Sequence, residues 1–121
     1  MDHAQIASAC MNYPHVRHEY KEEWEAALFR IGEKMFAMLG GDKMGAPIIT
    51  LKVPPELSIT MRNSHEGKIV PGYYMNKEHW ISIYLNSDVP DELIASLIGT
   101  AYETVLHSLS KKLQKELTDN K

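Results

Sequence analysis

EAALFRIGEKMFAML, residues 25–39, carries the pattern from which the fold follows. Ala27, Phe29 and Ile31 fall on one side of an extended chain, and Leu28 and Arg30 on the other. Gly32-Glu33 then offers a tight turn, and residues 35–39 continue as a mostly apolar strand. Two such runs joined through glycine predict a β-hairpin. Beyond it, residues 40–45 read as a loop and residues 47–53 as a further strand. Ile49, Leu51 and Val53 share one face of that strand, with Thr50 and Lys52 on the other. This alternation predicts a sheet with one face in the core and one face wet.

Before the hairpin, residues 2–12 read as a short helix, with Ile6, Cys10 and Met11 on one face. Tyr13-Pro14 stops it, because proline disfavours helical geometry in the residue before it. Residues 15–21 read as a polar edge strand. After residue 53, Pro54-Pro55 opens a helix in which Leu57 and Met61 face inward, ending near Asn63. Residues 68–70 are a short extended piece, and residues 79–85 the last strand. Ile81, Ile83 and Leu85 share one face of it; Trp80, Ser82 and Tyr84 share the other.

Asp88 is the expected cap of the longest helix, with Pro90 and Asp91 in its first turn. Leu93, Ile94, Leu97, Ile98, Ala101, Val105 and Leu109 form one apolar stripe. Lys111, Lys112 and Lys115 then follow at its C-terminal end, where cations suit the helix dipole. Together these elements predict one α+β domain over residues 1–121: an antiparallel β-sheet with helices packed on one face.

Composition narrows the function classes. The chain has 121 residues, enough for one core, with 44% hydrophobic and 24% charged residues. No apolar run approaches the roughly 18 residues that span a bilayer, so no membrane partner is expected. No basic-then-apolar leader is visible, and Cys10 is the only cysteine, so a cytoplasmic location is expected. The formal net charge is −3, which opposes a strongly basic nucleic-acid binder. Glu19, Glu22, Glu23 and Glu25 form an early acidic cluster.

Catalysis finds no foothold in these residues. His15, His18, Glu19 and Glu22 would converge only on a helix, and the segment reads as extended, so no metal site is expected. Cys10 falls in register with Ile6 and reads as a buried small hydrophobe. No G-x-S-x-G elbow or phosphate-cradling glycine loop is present. The chain is therefore expected to be no enzyme and to need no cofactor.

The chemistry that remains lies in VPGYYMNKEHW, residues 70–80. Pro71-Gly72 suits a type II turn, which needs glycine at its positive-φ position. After it come Tyr73, Tyr74, Asn76, Lys77, His79 and Trp80. Aromatic rings supply stacking, Asn and Lys supply phosphate or base-edge contacts, and His79 adds a donor. The plainer reading is that Trp80 and one tyrosine cover the sheet while Asn76-Lys77 is a solvated turn.

This stretch resembles the MmcQ/YjbR family of small bacterial proteins, whose distinctive segment runs approximately P-G-Y-H-M-N-K-x-H-W. Pro71, Gly72, Tyr73, Met75, Asn76, Lys77, His79 and Trp80 match it, and Tyr74 stands where histidine is usual. FRIGEKMFAML (29–39), ITLKVPPEL (49–57), residues 89–93 and residues 101–117 resemble further family segments, so the likeness covers nearly the whole chain. Tyr20-Lys21-Glu22-Glu23-Trp24 departs from the family's aromatic-proline-aromatic step. The resemblance implies a frataxin-like (CyaY-like) fold with a double-wing motif, and DNA binding.

On that basis DNA is the first expected partner, bound through the sheet face and the 70–80 loop. Arg30, Lys34, Lys52, Lys68 and Lys77 would meet phosphate, with Tyr73, Asn76, His79 and Trp80 nearer the bases. The alternative is a protein or small ligand received by the Tyr73–Trp80 aromatic patch, a reading indifferent to net charge. Iron handling by analogy to frataxin would need an acidic first helix, and Asp2 is the only acid before Glu19. The chain is expected to act as a monomer.

Overall fold

The hairpin forms where the alternation places it. In the computed structural model, which describes residues 1–119, β2 (Ala26–Ile31) turns through Gly32 into β3 (Lys34–Gly41). Their register shifts between Phe29 and Arg30: Phe29 pairs with Ala37 and Arg30 with Met35. Phe36 is left as an extra residue, a bulge that turns two successive side chains to the same side. Phe36 and Ala37 are thus both fully buried in the main core.

Six strands make one antiparallel sheet in the order β1-β2-β3-β4-β6-β5. The others are β1 (Arg17–Lys21), β4 (Pro47–Lys52), β5 (Ile69–Pro71) and β6 (Trp80–Tyr84). β1 is the polar edge strand that its composition predicts, and β3 runs through Gly41 where a loop was expected from Gly40. Four helices accompany the sheet: α1 (His3–Met11), α2 (Pro55–Ser64), α3 (Asp91–Leu106) and α4 (Lys111–Asp119).

All four helices contribute to one core, which also takes Phe29, Ile31, Ile49, Leu51, Ile81 and Ile83 from the sheet. Ile6 and Cys10 enter from α1, Leu57 and Met61 from α2, the long apolar stripe from α3, and Leu113 and Leu117 from α4. Met11 does not follow Cys10 inward and is 41% exposed. Burying each large aliphatic or aromatic side chain contributes about 1.5–3 kcal/mol, so this cluster dominates the fold. Burial also pushes the Cys10 thiol up to about 12, in keeping with an inert small hydrophobe. No helix of the described residues is long and apolar enough to cross a membrane.

Two helix boundaries differ from the sequence reading. Asp88 does not cap α3; its carboxylate lies 2.6 Å from Lys68 Nζ, and Pro90 holds the cap position without a side-chain bond. The stripe from Leu93 to Leu109 is also not one helix. Ser108 Oγ donates to Val105 O at 2.7 Å, and Ser110 Oγ accepts the Leu113 N–H at 3.2 Å. Serine hydroxyls that bond nearby backbone compete with helix continuation and favour caps, so a new helix starts at Lys111. Lys111 and Lys112 therefore sit at the positive end of a helix dipole, the reverse of the expected placement.

Candidate functional site

Strand register assigns the sheet's other face residue by residue. Glu19, Leu28, Met38, Thr50 and Ser82 stand in one row across β1, β2, β3, β4 and β6, through successive cross-strand partners. In a neighbouring row Arg17 pairs with Arg30, Arg30 with Met35, and Lys52 with Trp80. Among the described residues every helix packs into the core on the opposite side, so this face carries no helix.

It is not, however, the wet face that the alternation of β4 predicts. Leu28, Thr50 and Ser82 are fully buried, and Met38 and Trp80 are 6% exposed. Leu28 and Met38 pack with Ala26 and Met35, while Ser82 and Trp80 are covered by the segment after β5. Tyr73 N–H donates to Ser82 Oγ at 3.0 Å, which lays the chain back across the sheet. Beneath it Thr50 Oγ1 and Ser82 Oγ share a hydrogen bond at 2.7 Å. Two buried hydroxyls without partners would each cost about 1–3 kcal/mol, so this pairing is what lets them lie under the loop.

A second tie holds the loop further out. Tyr73 and Tyr84 hydroxyls are 2.9 Å apart, and Tyr84 O–H donates to Asp42 Oδ2 at 2.7 Å. Asp42 Oδ1 in turn accepts the N–H groups of Met44 and Ala46, each at 2.9 Å. The bond from Tyr84 holds the Asp42 carboxyl below the usual carboxylate range. Hydrogen bonding to Tyr73, and then to Asp42, raises the Tyr84 phenol. Sequence reading placed Tyr84 and Ser82 on this face but left Asp42 in a loop. The signal was local: an aspartate at the head of a loop, where its side chain bonds the backbone N–H two residues on as an Asx turn does.

Pro71-Gly72 is not a type II turn. Gly72 does not adopt positive φ; Tyr74 does, at +65°. Glycine is needed at 72 for space, since a Cβ there would stand 2.5 Å from Trp80 Cβ. Its N–H donates to Trp80 O at 2.8 Å, so the two backbones meet at bonding distance. Tyr74 is 67% exposed in a left-handed conformation that residues other than glycine rarely hold. Asn76 Oδ1 accepts the Glu78 N–H at 2.8 Å and so shapes the next turn. Lys77 is exposed and His79 half-buried.

The candidate residues therefore separate. Tyr73, Asn76, Lys77 and His79 come together on one loop, with Lys52 on the adjoining strand. Trp80 is buried beneath that loop as a structural ring. Arg30 lies on the same face but its Nε is 3.0 Å from Glu19 Oε1. Lys34 reaches away from it, donating to Ser108 O and Oγ at 3.3 Å each. Lys68 is held by Asp88 near the far edge. His18 and Glu19 do not converge either: His18 stacks on Phe29 while Glu19 takes the opposite face.

A family model described as YjbR matches residues 11–104. The uncharacterized protein YbdF of Escherichia coli O157:H7 is 38% identical over 93 residues, covering 77% of this chain and 75% of its own. The uncharacterized protein YjbR of Escherichia coli K12 is 27% identical over 114 residues, covering 94% and 95%. Among solved structures, a Deinococcus radiodurans protein with a DUF419 domain superposes with a TM-score of 0.85 at 31% identity. That match covers 95% of this chain and 86% of the other. A Pseudomonas syringae protein gives 0.72 at 30% identity, covering 86% and 98%.

Proposed function

Because the chain belongs to the YjbR family, we propose that it is a non-enzymatic DNA-binding domain that uses the helix-free sheet face and the 72–79 loop. The observation that carries this reading is the pinned loop. Tyr73 is tied to Ser82 and Tyr84, so the exposed Tyr74 and Lys77 project from a fixed base rather than a free coil. Strained backbone at an exposed aromatic is where recognition sites concentrate. Lys52, and beyond it Arg30, extend a cationic line along the same face.

The electrostatics set the strength. Of the five cations assigned to phosphate, Lys34 and Lys68 turn elsewhere, which leaves Lys77, Lys52 and Arg30. Each neutralised phosphate contributes about 0.9 to the logarithmic salt slope, giving about 2–3 in total. Binding is accordingly weak at physiological salt and tighter in dilute buffer. Fluorescence anisotropy against random duplex and single-stranded DNA, from low to physiological salt, tests this. Lys77→Ala should weaken binding and lower the slope by about 1, whereas Lys34→Ala should leave both unchanged. Equal losses in the two variants would remove the loop from the interface.

One observation favours a protein partner instead: Arg30 is already paired with Glu19 on the binding face. Absence of DNA binding even in dilute buffer would transfer the same surface to that reading, which does not depend on net charge.

A further inference from the structure

The sheet ends at β1, which pairs with β2 alone, so its outer backbone edge has no strand partner among the described residues. An unpaired edge is a template for another strand, and proteins commonly blunt it with proline, a bulge or repelling charge. β1 has no proline, and its pairing with β2 is regular throughout. Its charges alternate in sign along the face it shares with Arg30: Arg17, Glu19, Lys21. Charge is also polar along the segment, with Arg17 and His18 at its start and Glu22, Glu23 and Glu25 just past its end. Beside these lie Tyr20 and Trp24, 61% and 60% exposed, in a chain that buries Phe29, Phe36, Trp80 and Tyr102.

We propose that this edge pairs with the same edge of a second copy of the chain, antiparallel about a two-fold axis at Tyr20, joining two sheets into one. In that register Glu19 stands opposite the partner's Lys21, and Lys21 opposite the partner's Glu19. Tyr20 meets the partner's Tyr20 on the helix-bearing side. Glu22 and Glu23, in the 3-10 turn just past the strand, lie toward the end where the partner's His18 and the partner's Arg17 stand. Opposite charges facing across strands stabilise pairing and like charges oppose it. A register centred on Glu19 would set Glu19 against itself and Arg17 against Lys21. One centred on His18 would also set Glu19 against the partner's Arg17, but it would leave Lys21 and the acids beyond it without opposite charges. The charge order is thus self-complementary, and the register at Tyr20 matches the most charges.

Sedimentation of the full chain from micromolar to near-millimolar concentration tests the proposal. Wild type should show a monomer–dimer equilibrium that tightens in dilute buffer. Lys21→Glu places like charges opposite each other twice per dimer, and should weaken association by about tenfold or more. Glu19→Lys should do the same. A mixture of the two variants should restore the dimer, because each then supplies the charge the other lacks. Glu19 also holds Arg30, so circular dichroism must show that Glu19→Lys folds. Should it not, amide exchange along β1 in wild type and Lys21→Glu gives the second readout: protection that rises with concentration in the former only. A wild-type chain that stays monomeric over the whole range overturns the proposal. So does a dimer that Lys21→Glu leaves intact, or amide exchange along β1 that does not change with concentration.

Discussion

Gly72 carries more of the site's geometry than any charged residue in it. Its N–H bonds to Trp80 O while the space a Cβ would need is filled by Trp80 Cβ at 2.5 Å. Both groups belong to backbone or its first carbon, so neither can swing aside. Gly72→Ala should therefore cost about 1–3 kcal/mol as overpacking, read as a lower urea midpoint with an unchanged slope. Tyr84 works differently, as a bridge between Tyr73 and Asp42. Asp42 has its carboxyl pKa depressed in the folded chain, so its contribution is present above the ordinary value of 3.8 and is lost as pH falls through the folded value. The Tyr84 phenol is raised, so its contribution is present below the ordinary value of 10.0 and is lost as pH climbs above it. Tyr84→Phe removes the hydroxyl on which both depend. The variant should be less stable at neutral pH, with a shallower loss at both the acid and alkaline ends. Parallel pH profiles for the two proteins would refute the bridge.

Among the elements, α4 is the one whose sequence opposes its own start. Ser110 caps it, yet Lys111 and Lys112 occupy the first turn, where the dipole is positive. Replacing either by glutamate should stabilise the chain by about 0.3–1 kcal/mol at low salt, an effect that fades as salt is added. Thermal melts at two ionic strengths would show it, and a lowered melting temperature would contradict the cap assignment. α3 carries a different compromise. Gly99 in mid-helix is unfavourable by about 1 kcal/mol relative to alanine, but a Cβ there would meet the Tyr13 hydroxyl at 2.5 Å. Tyr13 is held in that place by stacking on Tyr102 at 4.7 Å between ring centroids. The break between α3 and α4 was not legible from the apolar stripe, because Leu109 and Leu113 keep facing the core on both sides of it. The serines at 108 and 110 were the only local sign.

Across the whole molecule, one sheet separates two unequal sides. The helical side holds nearly all of the apolar core; the other is closed by a short loop, a pair of hydroxyls and a tyrosine bridge. That asymmetry is what gives the DNA proposal its form, since a flat face bordered by Lys52 and Lys77 suits a macromolecular surface better than an enclosed ligand. The salt titration belongs to this scale, because the net charge of −3 acts against every local cation at once and is screened only over about 8–10 Å at physiological salt. A slope far above 3 would mean that cations beyond Lys77, Lys52 and Arg30 take part, Arg17 and Lys21 of the same face first among them.

Periodicity and composition determined the hairpin, the polar edge strand, the apolar helix stripe and the arrangement of helices against one side of an antiparallel sheet. These follow from local steric and solvation rules that act over a few residues, so a few residues are enough to reveal them. The segment at residues 70–80 likewise announced itself by its residue types. Only the tertiary structure decided what each of those residues does. It buried Trp80, turned Lys34 toward Ser108, gave Asp88 to Lys68, and brought Asp42 to Tyr84 across more than forty positions of sequence. Such outcomes depend on strand order and register, which bring together groups that no local pattern connects.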